Sequence, residues 1–78
     1  MAVQAYILIQ TDVGKAAEVA RAVREVDGVT HAEDVTGPYD DIVRAEASSV
    51  DELGRIVVAG AQNLDGISRT LTCPIVHI

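Results

Sequence analysis

The feature that most constrains this chain is a doublet. "VDGVTHAEDV" and "LDGISRTLTC" each follow a stretch whose apolar residues recur at helical spacing. In both, Asp-Gly closes the helical pattern and an aliphatic residue opens an alternating one. Glycine accepts the left-handed backbone that helix ends often require, so Asp27-Gly28 and Asp65-Gly66 read as helix stops that lead into strands. A chain that repeats this step is built from two βαβ units.

The remaining elements fit that frame. From Val3 to Gln10, Val3, Ala5, Ile7 and Ile9 alternate with Gln4, Tyr6, Leu8 and Gln10, the period of a strand. Asp12 is placed to cap a helix carrying Ala16, Val19, Ala20, Val23 and Val26 on one face. Val29–Thr36 and Asp41–Ala47 read as strands. Ser49 and Glu52 have capping-box spacing, opening a helix with Val50, Leu53, Ile56, Val57, Ala61 and Leu64 on its apolar side. Gly54 and Gly60 each weaken that helix by about 1 kcal/mol relative to alanine. Ile67–Ile78 is the last strand. The order β-α-β-β-α-β, with right-handed crossovers, predicts an α+β, ferredoxin-like domain over residues 1–78. Its four-stranded antiparallel sheet carries both helices on one face.

So short a chain has a marginal core. At 78 residues it buries only about 60% of its unfolded surface, and disulfides, a metal or oligomerisation usually assist. One cysteine excludes an internal disulfide and fits a reducing, cytoplasmic setting. The N-terminal run lacks a basic region and is broken by Gln4 and Gln10, so it reads as neither signal peptide nor membrane span. Net charge is −6, and Lys15, Arg21, Arg24, Arg44, Arg55 and Arg69 are scattered among acids, which argues against direct nucleic-acid binding. Glu33 and Asp34 read as solvated, edge-protecting acids.

If Val3, Ala5, Ile7, Ile9, Val43, Ala45 and Ala47 pack under the helices, the opposite face carries Tyr6, Leu8, Thr30, Ala32, Ile42, Arg44, Thr70, Thr72 and Val76. That mixture suits a contact with a second copy, sheet against sheet. A homodimer, and a higher oligomer built from it, is the expected assembly.

Catalytic and metal chemistry find little support. Cys73 and His77 share a face of the last strand, but four strand residues span about 13 Å, too far for two ligands of one zinc ion. Cys73 reads as a small buried apolar residue, and His31 and His77 as surface residues. Asp40 and Asp41 are adjacent, so in a strand they point to opposite faces and cannot pair as acid and base. No glycine-rich loop precedes a helix as phosphate binding requires. No catalytic residue, metal or cofactor is expected.

The turn in "VTGPYDDIVRAE" is the remaining candidate. Gly37 and Pro38 make a stiff corner that holds Tyr39 and Asp40 in a set direction. Alone, it reads as a hairpin corner. Where an aromatic ring, a carboxylate and free backbone N–H groups converge, an amino acid would be well met.

The "VTGPYDDIVRAEA" segment with its Gly-x-Tyr-Asp core at Gly37, Tyr39 and Asp40, the "SVDELGRIV" helix start and the "LDGISRTLT" run resemble one family. It is the effector-binding half of the leucine-responsive regulatory protein/AsnC family, the RAM domain, and the resemblance covers essentially the whole chain. It implies a fold of this type, dimers paired through their sheets, octameric rings in many members, and amino acids or similar small molecules bound between subunits. By position it implies Thr36, Gly37, Tyr39, Asp40 and Asp41 as the ligand loop, with Thr70 and Thr72 facing the ligand from the last strand. The helix-turn-helix of such regulators is not in this sequence, so DNA binding is not carried over. Sensing a metabolite, co-assembly with full-length regulators, or binding of something unrelated to amino acids is what the resemblance leaves. The alternative is a small enzyme of the dimeric α+β barrel type. Such enzymes keep a His, Asp or Arg between sheet and helices, where only small aliphatic residues are expected in this chain.

Overall fold

The computed structural model describes residues 2–62 and 64–76, and side chains throughout these except those of residues 61 and 62. Strand β1 (Val3–Thr11) is followed by helix α1 (Ala16–Arg24), strands β2 (Val29–Asp34) and β3 (Asp41–Ala47), helix α2 (Val50–Ile56) and strand β4 (Ile67–Pro74). The sheet is four-stranded in the order β2-β3-β1-β4, with every neighbouring pair antiparallel. This is the ferredoxin-like α+β arrangement that two βαβ crossovers dictate.

The core lies where alternation places it. Ala5, Ile7 and Ile9 of β1 and Val43, Ala45 and Ala47 of β3 are buried against Val19 and Val23 of α1 and Leu53 and Ile56 of α2. The β1–β3 register sets Ile7 beside Val43 and Ile9 beside Asp41. Side chains of directly paired residues stand on one face, so register determines which residues meet under the helices.

That rule moves several residues from where the pattern put them. Thr70 and Thr72 pair with Ile9 and Ile7, so they share the helix-covered face and are half-buried there. Ala32 pairs with Val43 and is buried. The open face instead receives Arg69, Leu71 and Cys73, opposite Gln10, Leu8 and Tyr6. Cys73 is exposed, not buried. The alternation of Leu71 and Cys73 against Thr70 and Thr72 does not by itself say which set faces the helices, and only pairing with β1 fixes its phase. Val76 lies beyond β4, which ends at Pro74, and is exposed. His77, and with it the end of the expected last strand, lies outside the described residues.

Helix ends show a second set of differences. Asp12 does not cap α1: Lys15 holds that position, without a side-chain hydrogen bond. The Asp12 carbonyl instead accepts from Lys15 N at 3.0 Å, and Asp12 N donates to Gly66 O at 2.7 Å. The residue thus joins the two ends of the repeat. At α2, Ser49 does cap, its hydroxyl accepting from Glu52 N at 3.1 Å. The reciprocal half of the box is absent, because the Glu52 carboxylate accepts from Ser48 Oγ. After Ile56 the helix widens into a π-helical segment, Val57–Gln62. There Gly60 is buried, and a Cβ on it would lie 3.0 Å from Val26 Cγ2. Gly60 therefore permits a close approach to the end of α1, whereas a Cβ at Gly54 would meet nothing within 4 Å.

Candidate functional site

The loop between β2 and β3 is set at the end of the sheet by backbone and side-chain ties. Val35 N donates to Asp40 O at 2.8 Å and Asp40 N to Ile9 O at 2.9 Å, closing the loop onto itself and onto β1; Thr36, Gly37 and Pro38 are exposed, Gly37 at φ +143°. Asp40 Oδ2 accepts from Thr11 N at 2.8 Å and from Thr11 Oγ1 at 3.2 Å. A carboxylate held by two donors is fixed in direction. Among the described residues its Oδ1 has no hydrogen-bond partner. Tyr39 is half-buried beside it.

Asp41 differs from the rest of this loop set. It is 0% exposed, on the same face as Ile9, and neither carboxylate oxygen has a hydrogen-bond donor. Burial is the largest cause that lifts its carboxyl from 3.8 to about 7, followed by its cross-strand partner Asp34, which can hydrogen-bond it only when one of the two is protonated and otherwise adds like charge, and by the charge of Asp40, against the opposing charge of Arg24. The expectation that the space between sheet and helices holds only aliphatic residues is therefore wrong at this position. A carboxyl poised near neutrality in an enzyme needs a route to substrate. Asp41 is 0% exposed and lines none of the four concavities described below.

The structure brings Thr36, Gly37, Tyr39 and Asp40 together and leaves Asp41 beneath them. Thr70 belongs to the same row of the sheet, Asp41–Ile9–Thr70, which at ordinary strand spacing places its Cα about 10 Å from that of Asp41. Thr72 is one pleat further away. Thr11, which orients Asp40, escaped sequence reasoning. The signal that finds it is the register of β1 on β3: with Ile9 opposite Asp41, Thr11 overhangs the end of β3 and reaches the loop.

The open sheet face is the second notable surface. Across it run the rows Gln4–Glu46, Tyr6–Arg44 and Leu8–Ile42, continued onto β4 by Cys73 and Leu71. Gln4 Nε2 donates to Glu46 Oε1 at 2.7 Å, and the Arg44 guanidinium lies 5.6 Å from the centroid of the Tyr6 ring. Tyr6, Ile42 and Leu71 are 40%, 36% and 48% exposed. A shallow concavity of about 260 Å³ lies here among Tyr6, His31, Glu33, Ile42 and Arg44. Other concavities flank α2, one among Val26, Gly28, Arg55 and Ile56, another among Gly54, Val58 and Ala59. Neither Tyr39 nor Asp40 lines any of these, nor a fourth beside Lys15 and Leu64. Among the described residues no group of three or more His, Cys, Asp or Glu is placed to hold a metal ion, and no helix is long and apolar enough to cross a membrane.

The family of the Lrp/AsnC ligand binding domain matches residues 4–77. The chain belongs to this family. An HTH-type transcriptional regulator of Pyrococcus horikoshii, itself uncharacterized, is 32% identical over 71 residues, covering 87% of this chain and 47% of that protein. The chain thus spans about half the length of the curated relatives it matches. Among solved structures, the protein TTHA0845 of Thermus thermophilus superposes with a TM-score of 0.91 at 29% identity, over 97% of this chain and 95% of that one. AsnC of E. coli superposes with a TM-score of 0.88 at 23% identity, over 97% of this chain and 52% of that one. That likeness to AsnC is one of fold. The family match over residues 4–77 identifies the ferredoxin-like sheet as that of an Lrp/AsnC ligand binding domain.

Proposed function

We propose that this Lrp/AsnC domain is a non-enzymatic effector-binding and oligomerisation module linked to transcriptional regulation, and that it takes an amino acid or a similar small zwitterion between subunits. The observation that carries the reading is the geometry of Asp40. Thr11 fixes one carboxylate oxygen by two hydrogen bonds, and the other has no partner among the described residues. An oriented carboxylate suits a ligand ammonium, exposed backbone around Gly37 and the Thr36 hydroxyl suit a ligand carboxylate, and Tyr39 offers an apolar cover. Thr70 and Thr72 belong to the proposed site as half-buried residues of the edge strand, reached from the helix-covered side. Asp41 supports the loop from below and is not in reach of a ligand.

Two further facts support a site shared between subunits. The loop residues Tyr39 and Asp40 line none of the four concavities described above, and a second subunit would supply a wall for the ligand. The apolar centre of the open sheet, exposed Ile42 and Leu71 with half-buried Leu8 between them, rimmed by Gln4, Glu46, Gln10 and Arg69, suits pairing with a second copy. Dimers joined in this way could assemble further, up to an octamer, or with full-length regulators of the same family. A transcriptional regulator of Neisseria meningitidis with this fold, 19% identical, is known as an L-Met complex; it makes methionine a reasonable member of the first panel.

Thermal-shift measurements against the twenty L-amino acids test the reading. At least one is expected to raise the melting temperature of the wild type, with the shift lost in Tyr39→Ala and Asp40→Ala. A panel with no shift, or a shift both variants retain, rules out amino-acid binding at this loop.

A further inference from the structure

Two carboxyls stand across from each other where β2 and β3 close into their loop, with a third next in sequence. Asp34 and Asp41 are cross-strand partners at the last rung of the ladder, and Asp40 adjoins Asp41. Asp41 has no exposed surface and no hydrogen-bond donor. The groups that face it from the packed elements are few. Strand β1 presents Ile9, which is uncharged; β2 presents Asp34; the loop presents Asp40; and α1 presents Arg24. Arg24 opposes the two acids only in part, because its Nε and Nη2 both donate to Ala32 O. The side chain that stands across the ladder from Asp41 is that of Asp34, and two carboxyls can bond to each other only while one of them holds a proton.

We propose that Asp34 and Asp41 share one proton as a latch across the end of the hairpin, and that losing this proton to solvent loosens the Val35–Asp40 loop and its grip on a ligand. The second half rests on the ligand-loop reading above; the first does not. The position of the latch explains the coupling. The next tie beyond the Asp34–Asp41 rung is Val35 N to Asp40 O, which closes the loop. With the proton gone, Asp41 is a buried charge without a donor, facing Asp34 and adjoining Asp40. Water can reach it most readily if β2 parts from β3, because β2 is an edge strand whereas β3 is held on both sides. Parting begins at the loop. Burial and the two neighbouring acids hold the Asp41 carboxyl at about 7, so the change falls near neutrality.

Two measurements without any added amino acid test the latch. Carboxyl-carbon NMR follows the titration of Asp41, and amide hydrogen exchange gives protection factors for Val35 and Asp40 about 1.5 pH units on either side of its titration point. Asp41 is expected to titrate near pH 7, and the protection of both amides to fall by about tenfold or more above it. In Asp34→Asn, an exposed change that leaves Asp41 in place, the titration point should drop, since a like charge is removed and an amide donor supplied. In Asp41→Asn the protection should no longer depend on pH. Titration of Asp41 below about pH 5, an unmoved titration point in Asp34→Asn, or equal protection on both sides overturns the proposal. A failure of these tests concerns the latch alone, and a failure of the amino-acid panel leaves them intact.

Discussion

Asp40 and Asp41 are chemically identical neighbours with opposite situations. Asp40 is fixed by Thr11 and keeps an oxygen free; Asp41 is sealed beneath the helices without a donor. Adjacent strand residues point to opposite sides, so this division was legible in the sequence. The solvent exclusion around Asp41 was not, since it depends on α1 and β2 closing over that end of the sheet. It carries a stability consequence whose sign follows from linkage. The folded carboxyl is raised from 3.8 to about 7, so between those values the folded state holds a proton that the unfolded state has released. Stability from this group is complete below about pH 4, declines by about 1.4 kcal/mol per pH unit, and levels off above about pH 7. The total is on the order of 4 kcal/mol. Urea denaturation at several pH values should show this slope in the wild type and a flattened one in Asp41→Asn. An equal slope in both would place the proton elsewhere.

At the scale of elements, the two glycines of the second helix separate. Both look like weak points in the sequence, and the structure makes only one of them so. Gly54 faces open space within α2, so Gly54→Ala should stabilise by about 1 kcal/mol through helix propensity alone. A Cβ at Gly60 would press on Val26, so Gly60→Ala should gain nothing or destabilise by about 1 kcal/mol or more. Denaturant midpoints of the two variants check the pair, and a common sign would contradict this account. Gly28 at the end of α1 is as constrained as the Asp-Gly signal implies. Its φ is +97°, and a Cβ there would collide with Ile56 and approach Glu46 O at 3.0 Å. The same elements show why caps are read less well than stops. Ser49 was legible because hydroxyl and helix start are adjacent, whereas Asp12 is drawn away from α1 by Gly66, a partner distant in sequence.

For the whole molecule, the open sheet face is the surface on which the proposed pairing of two copies is tested. A stable pair buries about 800 Å² per partner, against a total surface of 5023 Å² for the single chain. Light scattering at micromolar concentration should therefore find a dimer or larger assembly. Leu71→Asp, which sets an unpaired charge in the centre of the face beside Leu8, should reduce it to monomer and lower the melting temperature. A wild-type monomer, or an assembly that Leu71→Asp leaves intact, would remove the sheet from the interface.

By itself the sequence determined the element order, the ferredoxin-like topology, the core of β1 and β3, and the loop at Gly37–Asp40. These depend on period and on punctuation, which are local and survive without coordinates. Only the tertiary structure decided what stands beside what. It placed Thr70 and Thr72 under the helices, brought Cys73 and Leu71 onto the open face, gave Asp40 its anchor in Thr11, and enclosed Asp41 against Asp34. Each of these turns on the register between strands distant in the chain, and a slip of one residue would reverse all the faces at once.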